Sequence, residues 1–313
     1  MNNRVTVVGS YNVGLFLKGE AIPKGGETLI GQTFYESGGG KGSNQAVAAQ
    51  KMGAQTVFIG RIGKDRYGLD ALALYERLGI ATSAIQIDGH AHTGVSVILI
   101  DKNGQNSIMV VPGSNYNLSV QDMDDAAKRF AQSDIVGFQL ENNLETVCHG
   151  IRRAHEAGAR VLLDPAPAAP LPEGIYPCLT YIKPNELEAA AITGIPVTDE
   201  ESARRAGEWL VQKGVENAII TLGGRGAVLV NAQGTRHFRT PALPGPVLDT
   251  TGAGDCFSGT LMAALAQGQA LDSAIRRAIC ASALSTTRLG VIEAIPERDE
   301  VEAMLQSGGG RVK

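Results

Sequence analysis

The chain has 313 residues, 43% of them hydrophobic, and a formal net charge of −4. That length holds one large α/β domain or two modest ones, and mild acidity gives no global pull toward nucleic acid or an anionic membrane. No apolar run reaches the roughly 18–20 residues of a membrane span, and Cys148, Cys178, Cys256 and Cys280 show no CxxC spacing that would mark a zinc site or disulfide framework.

A first buried strand is predicted over 5–8, closing on Gly9. The N-terminus turns polar too quickly for a signal peptide, so reduced thiols and a cytoplasmic location are expected. Residues 12–34 break the pattern, with 15–17, a Pro23-Lys24-Gly25-Gly26 turn and 28–34 but no long helix. A glycine cluster, Gly38 to Gln45, runs into a helix over 44–52. A strand at 57–59 and a helix at 69–78 follow. A second excursion spans 93–111, folded at Asp101-Lys102-Asn103-Gly104, where Asn-Gly marks a hairpin. Beyond it lie strands at 135–138, 160–163, 179–182, 218–221 and 227–230. Helices at 144–157, 202–213 and 273–284 alternate with them, and Ser307-Gly308-Gly309-Gly310 reads as a frayed tail. Such alternation predicts a mostly parallel sheet sandwiched by helices, with ligands beyond the carboxyl ends of its strands. The two excursions predict a small β-sheet lid made from separate segments, 11–37 and 92–112, over a core of 1–10, 38–91 and 113–313.

The richest stretch is Asp249-Thr250-Thr251-Gly252-Ala253-Gly254-Asp255, leading into the apolar run 260–265. A glycine-rich turn opening a helix offers unpaired N–H groups to an anion. Asp255 would repel a resting phosphate, but a base beside a phosphoryl group is what a kinase needs to deprotonate an attacking alcohol. The earlier cluster, Gly38-Gly39-Gly40-Lys41-Gly42-Ser43-Asn44-Gln45, is no Walker A loop, because Gly42 separates Lys41 from Ser43. It reads either as a tight turn before a helix or as a backbone cradle for a polyhydroxylated or anionic ligand.

Together, the stretches at 39–45 and 249–255 resemble the two diagnostic motifs of ribokinase-like sugar kinases of the phosphofructokinase B type. The resemblance runs the length of the chain through Gly9-Ser10-Tyr11-Asn12, Thr93-Gly94, Gln139-Leu140-Glu141, Asp164-Pro165-Ala166-Pro167, Lys183-Pro184-Asn185-Glu186-Leu187-Glu188 and Thr221-Leu222-Gly223. It implies an ATP-dependent sugar kinase with Asp255 as base and Gly252, Ala253 and Gly254 as anion hole. It places Asn12, Gly40, Lys41, Asn44 and Glu141 on sugar hydroxyls. Asn185 and Glu188 would organise Mg2+ through water, while Thr221, Gly223 and Gly226 line the nucleotide phosphates. Asp249 and Thr251 would serve an activating K+, helped by 286–294, with adenine between the segment after Pro241 and residues 279–283. A homodimer through the lid is implied, with no nucleic-acid or membrane partner.

Plainer readings accompany these. Glu188 also fits an exposed helix carboxylate and Asp249 a turn cap. Cys256 and Trp209 read as packing residues, His149, His155 and His237 as surface or packing groups, and Arg276 and Arg277 as a solvated helix face. Alternatives to a sugar kinase are a nucleoside kinase, a catalytically silent sugar-binding protein on the same fold and, remotely, a dinucleotide oxidoreductase. Two positions depart from the family's pattern. Ala294 stands where a small polar residue is usual, leaving only backbone donors. Gly14 stands where the family usually carries an acidic residue for adjacent sugar hydroxyls. A carboxylate hydrogen bond is worth about 1.5–3 kcal/mol, so its loss weakens ribose roughly 10- to 100-fold. The expected acceptor is therefore not plain ribose but a sugar lacking a hydroxyl there or carrying a larger group, in space left by the glycine.

Overall fold

Apolar residues alternate between two cores on either face of the main sheet. Val5, Val7, Leu162, Ile219 and Leu229 face one, and Val136, Val161, Leu163, Ile220 and Val230 face the other. The computed structural model of the protein describes residues 2–308. Its strands are β1 (Arg4–Val8), β2 (Asn12–Lys18), β3 (Thr33–Gly39), β4 (Gln55–Gly63), β5 (Ala81–Asp88), β6 (Gly94–Ile100), β7 (Asn106–Val111), β8 (Ile135–Phe138), β9 (Arg160–Leu163), β10 (Tyr181–Ile182), β11 (Asn217–Thr221), β12 (Ala227–Asn231) and β13 (Gly234–Phe238). Among the described residues they form a nine-stranded sheet, β13-β12-β11-β10-β9-β8-β1-β4-β5, and a four-stranded sheet, β3-β2-β6-β7. The large sheet is parallel except for its β11-β12-β13 edge. Chain winding reverses at β1, which lies between β4 and β8 and whose carboxyl end leads straight into β2.

The helices are α1 (Lys41–Lys51), α2 (Arg66–Leu78), α3 (Val120–Asp125), α4 (Ala127–Phe130), α5 (Leu144–Glu156), α6 (Glu186–Thr193), α7 (Glu200–Gln212), α8 (Ala253–Ala266), α9 (Leu271–Ser285) and α10 (Arg298–Gly308). None is long and apolar enough to cross a membrane. Both glycine clusters are shorter loops than the sequence predicts, because the helices begin inside them. α1 starts at Lys41, with the Lys41 N–H donating to Glu141 and the Ser43 N–H to the Ser10 carbonyl. α8 starts at Ala253, after Gly252 at φ +75°. Of the tail predicted over 307–310, Ser307 and Gly308 belong to α10, and 309–310 lie outside the described residues.

The second sheet is assembled from two separate segments, as predicted. β2–β3 and β6–β7 are antiparallel, and β2 joins β6 in parallel. The strand expected over 28–34 instead runs Thr33–Gly39, because β2 ends at Lys18, the partner of Thr33, and earlier residues have nothing to pair with. One face, carrying Asn12, Gly14, Phe16 and Lys18, looks into a cavity. On the opposite face Leu15 packs against the core.

Close backbone contacts fix the two helix starts beside each other. A Cβ on Gly42 would lie 2.6 Å from the Gly9 Cα, and one on Gly259 would lie 2.3 Å from the Gln45 carbonyl oxygen. α1 therefore seats directly on the end of β1, and α8 directly on α1. A methyl group at Gly259 would wedge apart the helices that carry Asn44 and Asp255.

Candidate active site

Asp255 occupies the first turn of α8 and is 5% exposed. Asn44 Nδ2 donates to its Oδ2 at 2.8 Å, and Gln45 Nε2 donates to its Oδ1 at 3.3 Å. Burial raises its carboxyl above the ordinary carboxylate range; Lys41 opposes that rise and Asp164 adds to it. The Lys41 ammonium is in turn held above its usual range, chiefly by Asp255. Below lies a polar layer that the sequence reading did not assign. Asp164 Oδ2 accepts from Lys183 Nζ at 2.8 Å, Ser258 Oγ at 2.9 Å and Gln45 Nε2 at 3.0 Å. Gln139 fixes Gln45 through a 2.7 Å bond to its Oε1, and Lys183 Nζ reaches the Gly254 carbonyl at 3.2 Å.

The α8 terminus offers fewer free amides than predicted. The Ala253 N–H donates to the Thr250 carbonyl at 3.2 Å, which removes it from the anion hole while that turn persists. The N–H groups of Gly252, Gly254 and Asp255 have no acceptor among the described residues. Those amides at a helix N-terminus form a site for negative charge. On the other side, Glu141 Oε2 accepts from Ser10 Oγ at 2.5 Å, Lys41 N at 3.0 Å and Asn12 Nδ2 at 3.4 Å. Asn115, which has no place in the motifs, holds Asn12 Oδ1 at 2.9 Å. Gly40, at φ +90°, admits the close pass of Asn12, whose amide nitrogen would lie 2.8 Å from an added Cβ.

Two cavities meet here. One, of about 450 Å3, is lined by Asn185, Glu188, Thr221, Gly223 and Gly226, with Leu243, Val247 and Ile279 at its apolar end. The other, of about 460 Å3, is lined by Asn12, Gly40, Asn44 and Glu141 and roofed by the small sheet. Lys41, Gly252 and Asp255 line both. A carboxylate, an ammonium and a helix terminus at the junction of two cavities suit transfer of an anionic group from an occupant of one to an occupant of the other.

The model of the pfkB family of carbohydrate kinases matches residues 2–298. The chain belongs to that family. It is 37% identical to the ribokinase of Haemophilus influenzae over 98% of this chain and 99% of the relative. It is 34% identical to the deoxyribokinase of Salmonella typhi, covering 96% and 98%. Among solved structures, Arabidopsis thaliana ribokinase complexed with ribose and ATP superposes with a TM-score of 0.91 at 29% identity, covering 98% of this chain and 99% of that one. The protein is a sugar kinase that phosphorylates an alcohol group.

In this pfkB kinase the remaining candidate residues have structural tasks. Asn185 caps α6: Asn185 Oδ1 accepts the Glu188 N–H at 2.9 Å, and Glu188 Oε2 accepts the Asn185 N–H at 2.8 Å. Glu188 is half-buried rather than an exposed helix carboxylate, and burial raises its carboxyl. Thr221 bridges to Asn185, and Gly226 is dictated by packing, since its Cβ would lie 1.9 Å from the Phe238 carbonyl oxygen. Asp249 does cap a turn, accepting the Thr251 N–H at 2.9 Å. Cys256 is buried, which pushes its thiol up to about 12 and leaves it a packing residue. Trp209 packs edge-on against Tyr176, while His149 and His237 pair with the carboxylates of Asp124 and Glu200. Arg277 does not solvate a helix face; it is largely buried and bound to Glu302 at 2.6 Å.

Gly14 requires a correction. It faces the second cavity, but an added Cβ would lie 2.6 Å from Phe16 Cε2, so the Phe16 ring edge takes part of the space that the missing side chain leaves.

Raising a buried acid's pKa means that the fold binds its proton more tightly than the unfolded chain does. Asp255 therefore costs stability as pH rises from the unfolded value of about 4 through the raised folded value, and costs none below both. Asp255→Asn should unfold at a higher temperature than wild type at pH 7.5. The difference should narrow as the pH falls toward about 4, read by thermal melts across that range.

Proposed function

We propose that the enzyme transfers the γ-phosphoryl group of ATP to a primary hydroxyl of a small sugar or sugar derivative. The observation that carries this reading is the sharing of Lys41, Gly252 and Asp255 by the two cavities. ATP occupies the cavity of Asn185, Thr221, Gly223 and Gly226, with adenine against Leu243, Val247 and Ile279. The sugar occupies the other, with hydroxyls on Asn12, Asn44 and Glu141. Asp255 takes the hydroxyl proton as the oxygen attacks, and its raised proton affinity brings it closer to the working pH of a base. Free amides of Gly252 and Gly254 meet the charge that grows on the transferring group, and Lys41 neutralises it from the sugar side. The small sheet, which we assign as a lid from 11–37 and 92–112, covers the sugar and excludes water as a rival acceptor.

Bound magnesium would neutralise the nucleotide phosphates. Glu188 and the buried Asp164 Oδ1, an oxygen without a hydrogen-bond partner, fit such an ion through its waters. Asp249 and Thr251 supply hard oxygen donors suited to a potassium ion. The sheet face away from the cavity exposes Phe34 at 60% and Met109 at 71%, an apolar surface that a second copy of the chain would cover.

Three outcomes follow from this reading. Asp255→Asn should lower turnover on an accepted sugar by roughly 10²- to 10⁴-fold while nucleotide affinity, measured by calorimetry, stays within about threefold. An unchanged turnover number would remove Asp255 from the chemistry. Replacing potassium with sodium should slow ADP release at saturating sugar and nucleotide; equal rates would leave Asp249 as a turn cap alone. Light scattering should give the mass of a dimer, and Phe34→Lys with Met109→Lys should give that of a monomer.

A further inference from the structure

A third cavity, of about 390 Å3, opens at the pole of the main sheet opposite the two already described. Arg4 and Thr6 of β1, Gln55 and Thr56 of β4 and Ala81 of β5 line it, all toward the amino ends of parallel strands. Gln50 closes it from the last turn of α1, and Arg129 from α4. Reacting ligands of such sheets gather beyond the carboxyl ends, so phosphoryl transfer leaves this cavity unused.

Positive charge and hydrogen-bond donors dominate its lining. Neither Arg4 nor Arg129 is in an ion pair among the described residues, and Arg129 Nη2 makes only a long 3.4 Å contact with the Ser83 carbonyl. No carboxylate lines the cavity. Asp134, next to it in the chain, turns one oxygen to the Asn2 and Arg4 amides at 2.9 and 3.0 Å. Two like charges on one cavity repel each other, and an anion bound with them relieves that repulsion. Gln50 Oε1 accepts the Thr56 N–H at 3.3 Å, which leaves its NH2 group without an acceptor among the described residues. Ser133 Oγ donates to the Arg129 carbonyl at 2.8 Å and therefore accepts from Thr6 Oγ1 at 2.7 Å. The buried Thr56 hydroxyl has no hydrogen-bond partner among the described residues.

We propose that this cavity binds a phosphorylated sugar, with the phosphate on Arg4 and Arg129 and the hydroxyls on the side-chain amides of Gln50, Gln55 and Gln132. A guanidinium fork matches phosphate oxygens, and a neutral sugar would leave both charges unpaired. Inorganic phosphate would satisfy the arginines and leave the three amides without a ligand. The apolar lining is small, Ala54, Val57 and Ala81, and offers no aromatic ring against which a nucleotide base would stack. Its occupant would touch the far end of α1, the helix whose first turns carry Lys41 and Asn44.

The test is calorimetric titration of the full chain with ribose 5-phosphate, fructose 6-phosphate, inorganic phosphate and ribose, in wild type, Arg4→Gln and Arg129→Gln. At least one sugar phosphate should bind wild type, and each substitution should weaken it about 10-fold or more. Inorganic phosphate should bind about 10-fold more weakly than that sugar phosphate. A sugar phosphate held only in the other two cavities would keep its affinity in both variants and overturn the proposal. So would inorganic phosphate that binds as tightly as the sugar phosphates, or the absence of any sugar-phosphate binding. Ribose affinity lowered as much as that of the sugar phosphates would show that the arginines act through the fold, and would overturn it too. Unchanged nucleotide affinity checks that each variant is folded. Arg4 is exposed, so Arg4→Gln decides even where Arg129→Gln fails to fold.

Discussion

The seating of α8 on α1 is the constraint on which the rest of this enzyme depends. Gly259 lets the helices touch at the Gln45 carbonyl, which brings Asn44 and Gln45 of one helix to the Asp255 carboxylate of the other. Neither partner is near in sequence. The geometry of the reacting end is set by packing of small residues, not by the loops that carry the family's motifs. Glycine is required at the contact because the α8 backbone lies against the Gln45 carbonyl there, and a side chain would move Asp255 relative to Asn44 and Gln45.

Asp255 lies within electrostatic reach of Asp164, and Asp164 of Glu188, around the first cavity. Such a cluster is tolerable only with cations and donors arranged around it. Lys183 supplies a buried counter-charge to Asp164 and grips the Gly254 carbonyl, so the same ammonium balances charge and anchors the start of α8. Gln45, held by Gln139, donates to both Asp164 and Asp255. The layer has little room to relax. A carboxylate kept in place at a cost in stability is ready to accept a proton without reorganising its surroundings.

The sequence discloses the parts of this arrangement that are local. Strands such as 135–138 and 160–163 are legible to the residue because they are buried on both faces and, Arg160 apart, read as apolar runs. β5 and β13 escape notice as sheet edges with many polar residues, where pairing and not burial defines the strand. Asp255, its flanking glycines and Asn12, Gly40, Lys41, Asn44 and Glu141 are legible as motif residues. Gln45, Asp164 and Lys183 lie in stretches that carry the resemblance, but the contacts they make with one another, and any part for Asn115, cross long stretches of chain that no spacing encodes. The engagement of Ala253 by Thr250 is similarly hidden, because a motif records residue types and not the direction of an N–H bond.

Gly14 shows the limit in its sharpest form. From the sequence it is an absence, a missing side chain and vacant space. In the fold its backbone lies against the Phe16 ring edge, which an added Cβ would meet at 2.6 Å, and that ring stacks with Tyr35. The small sheet is apolar on two faces. Its outer face exposes Phe34 and Met109, and its inner face, with Phe16 and Tyr35, lines the second cavity. The α1–α8 pair holds Asp255 through close backbone contact and a hydrogen bond from Asn44, and has little freedom to vary. The small sheet meets the core around that cavity, so its side chains vary without disturbing the contact between α1 and α8.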